Sequence, residues 1–339
     1  YSITPSNFDC NDVGTTTATL TVTDENGNTS SCVASITVED GQAPTAICQD
    51  ITVQLDAAGN ARITAAQINN GSFDNCGIAS MTVTPGTFSC SGVGANPVTL
   101  TVTDNSGNVS TCSAVVTVMD NIDPMAICQD ITVQLDASGT ASITASQVDN
   151  GSNDNCGIAS MSVSPSSFSC SDVGANTVTL TVTDLNGNSS TCTSIVTVED
   201  NVDPIAICQD ITVQLDASGN ASISAAQIDN GSNDACGIAS LSVSPSTFSC
   251  SDVGANNVTL SVTDNNGNVS TCSSTVTVQD NVDPTAICQN VTVQLDASGN
   301  ASITAAQIDN GSNDACGILN MTVTPATFNC SNVGGNTVT

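Results

Sequence analysis

Cysteine recurs in this chain at one constant interval, without a single insertion or deletion. One series runs Cys10, Cys90, Cys170, Cys250 and Cys330, and a second Cys32, Cys112, Cys192 and Cys272. A third runs Cys48, Cys128, Cys208 and Cys288, and a fourth Cys76, Cys156, Cys236 and Cys316. Each series advances by eighty positions per step, and the surrounding sequence keeps that period, as in ICQDITVQLDASG at 127–139 and again at 207–219. Such a unit is too long for a solenoid rung and long enough for a small domain. Boundaries are expected where an alternating apolar segment ends at a proline: Ala43-Pro44, Asp123-Pro124, Asp203-Pro204 and Asp283-Pro284. Proline donates to no ladder and keeps its predecessor extended, so the connectors should be short and stiff. The expected partition is 1–42 as the C-terminal half of a repeat, 43–122, 123–202 and 203–282 as whole repeats, and 283–339 as the N-terminal part of another. Tyr1 aligns with Met81, so the chain reads as a window on a longer protein.

Within 123–202, Ile131, Val133 and Leu135 alternate with Thr132, Gln134 and Asp136, the period of a half-buried strand. Asp136-Ala137-Ser138-Gly139 predicts a turn, and Ala141–Ile143 a second strand. Thr144-Ala145-Ser146-Gln147 has the capping-box spacing and predicts one helical turn ending at Asn150-Gly151. A third strand is expected over Ile158–Val163, and TVTLTVTD and SSTCTSIVTVED flank a hairpin turn at Leu185-Asn186-Gly187-Asn188. Short β-branched strands at this spacing predict an all-β fold, a tandem array of immunoglobulin-like β-sandwiches stapled by disulfides. With the termini of each unit at opposite ends, the array should extend end to end as a rod, gaining roughly 35–45 Å per unit.

Composition removes most chemistry. There are 32 acidic residues against one basic residue, Arg62, and no histidine, for a formal charge of -31. Without His or Lys there is no imidazole base, no Schiff-base amine and no activated serine triad, so no enzyme is expected. Paired carboxylates of the glycosidase kind would need a sugar platform that this aromatic-poor sequence does not offer. Nothing here neutralises phosphate, so nucleic acid and anionic lipid are excluded as partners. No apolar run approaches the ~20 residues that cross a bilayer, so direct membrane insertion is not expected. Yet apolar residues make up 39% and charged residues only 10%, which argues for a folded chain over an acidic disordered tail. The one recurrent aromatic, Phe8, Phe88, Phe168, Phe248 and Phe328, leaves a thin core that needs staples.

Four cysteines per repeat supply them. No C-x-x-C spacing occurs, so zinc is set aside in favour of disulfides and an oxidising compartment, cell surface or medium. If the first and last strands run parallel, Cys128 and Cys192 lie at the same end, predicting Cys48–Cys112, Cys128–Cys192 and Cys208–Cys272. Elimination then leaves Cys76–Cys90, Cys156–Cys170, Cys236–Cys250 and Cys316–Cys330. A bridge between repeats such as Cys112–Cys128 is set aside because eight extended residues carry the chain ~26 Å from Cys112 before the next unit begins.

The same trace gathers Asp120, Asp123, Asp154 and Asp184 near one junction, and Asp200, Asp203, Asp234 and Asp264 near the next. Oxygen-rich clusters of this kind are what Ca²⁺ takes as ligands, making it the candidate cofactor; no other is required. Against it stand Ala43 in the place of Asp123, turn chemistry in Asp-x-Asn-Gly-Asn, and the lack of an EF-hand spacing.

Taken together, PxAICQDITVQLDASGNASITAAQIDNGSNDxCGI, TLTVTDxNGNVSTC and TVTVxDNVDP resemble the HYR-like, immunoglobulin-type repeats of giant surface proteins of Bacteroidota. The resemblance implies export by the type IX secretion system and display as long adhesins or extracellular fibres, some similar to gliding adhesins. Its implied partners are the secretion machinery, neighbouring repeats and other copies in a fibre. Two functions are open at this point. The region is either a stalk that projects a distal binding part, or a multivalent module whose repeats themselves recognise surface glycans or proteins.

Overall fold

The computed structural model describes Tyr1–Thr339. Residues 43–122 carry the full set of elements: β1 Ile51–Gln54, β2 Asn60–Arg62, α1 Ala65–Ile68, β3 Ile78–Thr84, β4 Thr87–Ser89, β5 Gly94–Asp104 and β6 Val109–Met119. Strands β1, β6, β5 and β3 form one sheet in that order. Strand β1 runs parallel to β6, with Ile51 opposite Val116, and the other pairs are antiparallel. The second sheet is the short antiparallel pair β2–β4, with Ala61 opposite Phe88. Residues 203–282 repeat this strand order, again with a parallel first pair of Ile211 opposite Val276. The array is all-β, in immunoglobulin-like repeats.

The core lies between the two sheets and follows from period-2 alternation. Val98, Leu100 and Val102 on β5 and Ala114, Val116 and Val118 on β6 point inward and are buried with Leu55, Ile63, Ile68 and Phe88. Each such aliphatic side chain contributes about 1.5–3 kcal/mol on full burial. The threonines and serines between them face outward, which suits the pleat and costs nothing in desolvation. In α1 the Thr64 N–H donates to Gln67 Oε1 at 2.8 Å, closing the capping box, and Ile68 at its end is fully buried.

The loop after this helical turn is tied by an aspartate in the later repeats. Asp149, Asp229 and Asp309 accept from the N–H groups of Ser152, Ser232 and Ser312 at 3.0, 3.0 and 2.8 Å. The serine side chain first, then the backbone N–H groups, hold each carboxyl below its ordinary value of 3.8 despite some desolvation. A carboxyl lowered on folding adds stability that is complete above the unfolded value and lost as pH falls through the folded one. The melting temperature is therefore expected to hold from pH 7 to about pH 4.5 and to drop by several degrees by pH 2.5, as followed by circular dichroism.

Seven disulfides cross-link the chain. Three join the first and last strands of a repeat: Cys48–Cys112, Cys128–Cys192 and Cys208–Cys272, with Cα–Cα distances of 5.9, 5.9 and 6.0 Å. The parallel register of β1 and β6 accounts for this, since Cys48 and Cys112 precede Ile51 and Val116 by three and four residues. The other four bonds correct the expectation from the sequence. Cys10–Cys76, Cys90–Cys156, Cys170–Cys236 and Cys250–Cys316 each join one repeat to the next, at Cα–Cα 5.1, 5.2, 5.2 and 5.1 Å. The pairs Cys76–Cys90, Cys156–Cys170, Cys236–Cys250 and Cys316–Cys330 do not form.

The reason is visible in residues 43–122. From Cys76 the chain climbs seven residues of β3, while β4 returns only three, and it does so in the other sheet against β2. Cys76 and Cys90 thus end up at opposite ends of the repeat. Cys90 opens a 3-10 turn beside the β1–β2 connection, where its Sγ lies 3.3 Å from the carbonyl oxygen of Asn155 in the next repeat. Cys32, Cys288 and Cys330 are unpaired and exposed.

Glycine is required where these inter-repeat bonds seat. Gly219 has φ +74°, and a Cβ there would meet Cys250 Sγ at 2.5 Å. Gly219→Ala should cost about 1–3 kcal/mol. It should also lower the yield of the Cys250–Cys316 bond while leaving Cys208–Cys272 intact, which peptide mapping of the refolded variant reads directly.

By its internal contacts the chain divides into two compact units. The first comprises Tyr1–Ile131, Ile143–Ser166 and Thr177–Val196, and the second Thr132–Ser142, Ser167–Asn176 and Thr197–Thr339. This division runs through 123–202 and not along the proline boundaries. The bond Cys170–Cys236, which lies inside the second unit, gives it a physical basis. In 283–339 only Asn300–Ser302 and Thr327–Asn329 pair as strands.

Candidate metal centre at the repeat junctions

The inward alternation that builds the core does not stop at the apolar residues. On β5 the series Val98, Leu100, Val102 continues to Asp104, and the β6 series Ala114, Val116, Val118 continues to Asp120, the residue just past the strand's end. Register therefore places these carboxylates inside the protein: Asp104 is 1% and Asp120 5% exposed. The same step buries Asp184, Asp200 and Asp264, at 1, 6 and 1%.

Three of these aspartates and the loop residue Asp154 make two clusters with their period-mates. Asp40, Asp74 and Asp104 have carboxylate oxygens within 4.8 Å of one another, and so do Asp120, Asp154 and Asp184. In each cluster the first residue ends one repeat and the other two belong to the next. Asp123 and Asp203, expected beside them, are exposed and take no part, because the connector turns them away ahead of the buried Pro124 and Pro204. Ala43 is thus no obstacle, and the Asp40 cluster, which the sequence expectation does not include, forms fully. Only the strict sequence period could have pointed to it. At the third junction Asp200 and Asp234 are joined by Cys236 and not by Asp264; Asp280, Asp314 and Cys316 repeat that set. The sulfurs of Cys236 and Cys316 are committed to disulfides.

Hydrogen bonds hold Asp184 by both oxygens, and Asp120 and Asp154 by one oxygen each. Asp184 Oδ1 accepts from the N–H groups of Asn186 and Asn188 at 2.8 Å each, and its Oδ2 from Asn188 Nδ2 at 2.7 Å. Asn188 Nδ2 also donates to the Asp120 carbonyl at 3.1 Å, tying the hairpin turn to the end of the preceding repeat. Asp154 Oδ1 accepts from Cys156 and Gly157 N–H at 2.8 and 3.1 Å. Asp120 Oδ1 accepts from Ile122 N–H at 3.3 Å and Asn155 Nδ2 at 3.4 Å. Burial works to raise the carboxyls of Asp104, Asp184 and Asp264, but the asparagine side chains and turn N–H groups outweigh it and leave all three below the ordinary carboxylate value. Left over are buried oxygens with no donor: Asp40 Oδ2, Asp120 Oδ2, Asp154 Oδ2, Asn155 Oδ1 and Asp200 Oδ2.

No protein-family model matches the chain. It is 29% identical over 315 residues to hyalin of Strongylocentrotus purpuratus, a match that takes in 86% of this chain and 26% of the relative. That match carries neither a Bacteroidota origin nor a type IX secretion route. Among solved structures, titin domains I67–I69 align at 12% identity over 70% of this chain and 100% of that one, with a TM-score of 0.31. The extracellular cadherin domains 1–4 of protocadherin gamma B7 align at 15% identity over 79% of this chain and 84% of that one, with a TM-score of 0.29. No helix is long and apolar enough to cross a membrane. Seven disulfides in a chain of this size require an oxidising compartment. This is an extracellular or cell-surface array of disulfide-stapled immunoglobulin-like repeats.

Proposed function

We propose that the chain is the load-bearing repeat region of an extracellular adhesive or filament-forming protein, a stalk and not the part that recognises the ligand. One observation carries this reading. The seven bonds overlap in series, 10–76, 48–112, 90–156, 128–192, 170–236, 208–272 and 250–316, so each loop opens before the previous one closes. Every residue from 10 to 316 lies inside at least one closed loop. Tension applied at the ends passes from bond to bond without unravelling a repeat. An isolated binding module gains nothing from such a ladder; a tether does. With Arg62 as its one basic residue, the chain also offers trypsin a single site.

The test is to apply the oxidised 339-residue chain to glycan arrays and to cell surfaces. The stalk reading expects no saturable binding. Specific, saturable binding to a glycan or protein would move recognition onto the repeats themselves.

A further inference from the structure

The buried carboxylates at the junctions have a chemistry that neither folding nor load-bearing explains. Three anionic groups within 4.8 Å repel one another, and no basic residue stands against them, Arg62 being the only one in the chain. Buried polar atoms are ordinarily paired. Here Asp120, 5% exposed, keeps Oδ2 without a donor, and Asp154 Oδ2 and Asn155 Oδ1 beside it are in the same condition. At the preceding junction Asp40 Oδ2 is likewise unpartnered. What such oxygens lack in common is a cation.

We propose that the clusters Asp40–Asp74–Asp104 and Asp120–Asp154–Asp184 are calcium sites that clamp each repeat to the next. The donors are all hard oxygens, carboxylates with an asparagine carbonyl at hand, and no thiolate or imidazole is present to favour zinc. The protein spends donors on one oxygen of Asp120 and Asp154 and leaves the other free, so each carboxylate is oriented before the ion arrives. Because Asp120 comes from the repeat that ends and Asp154 and Asp184 from the one that begins, the ion spans the connector 121–124. The Asp200 junction is the weaker site. Ala235 stands where the Asp120 site has Asn155, and the third group is a sulfur already bonded to Cys170.

The experiment uses the oxidised full chain, stripped with chelator, with radioactive Ca²⁺ in equilibrium dialysis at about 0.15 M salt. At least two ions should bind per chain, with midpoints of about 10⁻⁴–10⁻³ M, the range of extracellular modules. Asp120→Asn with Asp154→Asn should lower the count by one. Asp123→Asn with Asp203→Asn, both outside the clusters, should leave it unchanged. Melting supplies a second readout with a distinctive sign. In chelator the Asp120→Asn/Asp154→Asn variant should melt higher than the parent, since like charges have been removed, whereas calcium should raise the parent's melting temperature more than the variant's. No saturable binding at millimolar Ca²⁺, a count that the Asp120→Asn/Asp154→Asn change leaves intact, or a variant that melts lower in chelator would overturn the proposal.

Discussion

Pulled from its ends, the oxidised chain should extend by no more than about 55 Å for every repeat, whereas the reduced chain should reach about 270 Å. The figure follows from connectivity alone. The shortest covalent route enters a repeat at Cys76, follows the backbone over 76–90, crosses from Cys90 to Cys156 over a Cα–Cα distance of 5.2 Å, and follows the backbone again over 156–170. A second route follows the slightly longer span 112–128 and crosses Cys128–Cys192 at 5.9 Å. Two covalent rails of nearly equal length thus run along the array, so one broken bond is bypassed by the other rail. Single-molecule force spectroscopy before and after reduction reads the difference directly. Oxidised molecules that lengthen by the contour of a whole repeat per unfolding event would refute the ladder.

The second large effect concerns a repeat cut from its neighbours. An isolated 123–202 fragment retains Cys128–Cys192 but has neither Cys90 nor Cys236, so Cys156 and Cys170 are left as free thiols. Loop entropy for a closure with sequence separation 66 is about 4 kcal/mol per bond, a large share of the roughly 5–15 kcal/mol that a small domain has in total. The fragment should titrate two thiols and unfold at markedly lower urea than the same residues within the full chain. It should not recover stability by oxidising Cys156 to Cys170, because their period-mates Cys76 and Cys90 sit at opposite ends of a repeat. A fragment with no free thiol and full-chain stability would mean that the repeats are self-contained.

Much of the fold is legible in the residues because it rests on local period. The alternation of Ile131, Val133 and Leu135, the box of Thr144 and Gln147, and the Asn-Gly turn at 186–187 each specify one element, and the structure has each of them. The parallel pairing of first and last strands has only one sensible consequence for Cys48 and Cys112, and those two are bonded. The inter-repeat bonds are hidden by a three-residue strand. Thr87–Ser89 is too short to show a period, yet by pairing with Asn60–Arg62 it switches sheets and carries Cys90 to the far end. Elimination within one repeat therefore assigns partners that the topology separates. The acidic site shows the same division. Crowding of acids along the trace is enough to single out Asp120 and Asp184, but the stronger signal is the run Val-x-Leu-x-Val-x-Asp at 98–104 and 178–184, where an unbroken period of two forces a carboxylate into the core. Nearness in sequence groups Asp123 with them, and its position beside Pro124 turns it away from the cluster.

The disulfide ladder is the claim on which both mechanical predictions stand, and cleavage before aspartate tests it in one digest. Cutting there leaves Cys76 and Cys90 together on 74–103, Cys156 and Cys170 on 154–171, Cys236 and Cys250 on 234–251, Cys316 and Cys330 on 314–339, and Cys10 alone on 9–11. Bonds between repeats join these five peptides into one covalent assembly, which mass spectrometry of the unreduced digest should find intact and which reduction should break into its parts. Four separate peptides, each closed by its own internal bond, would contradict the account.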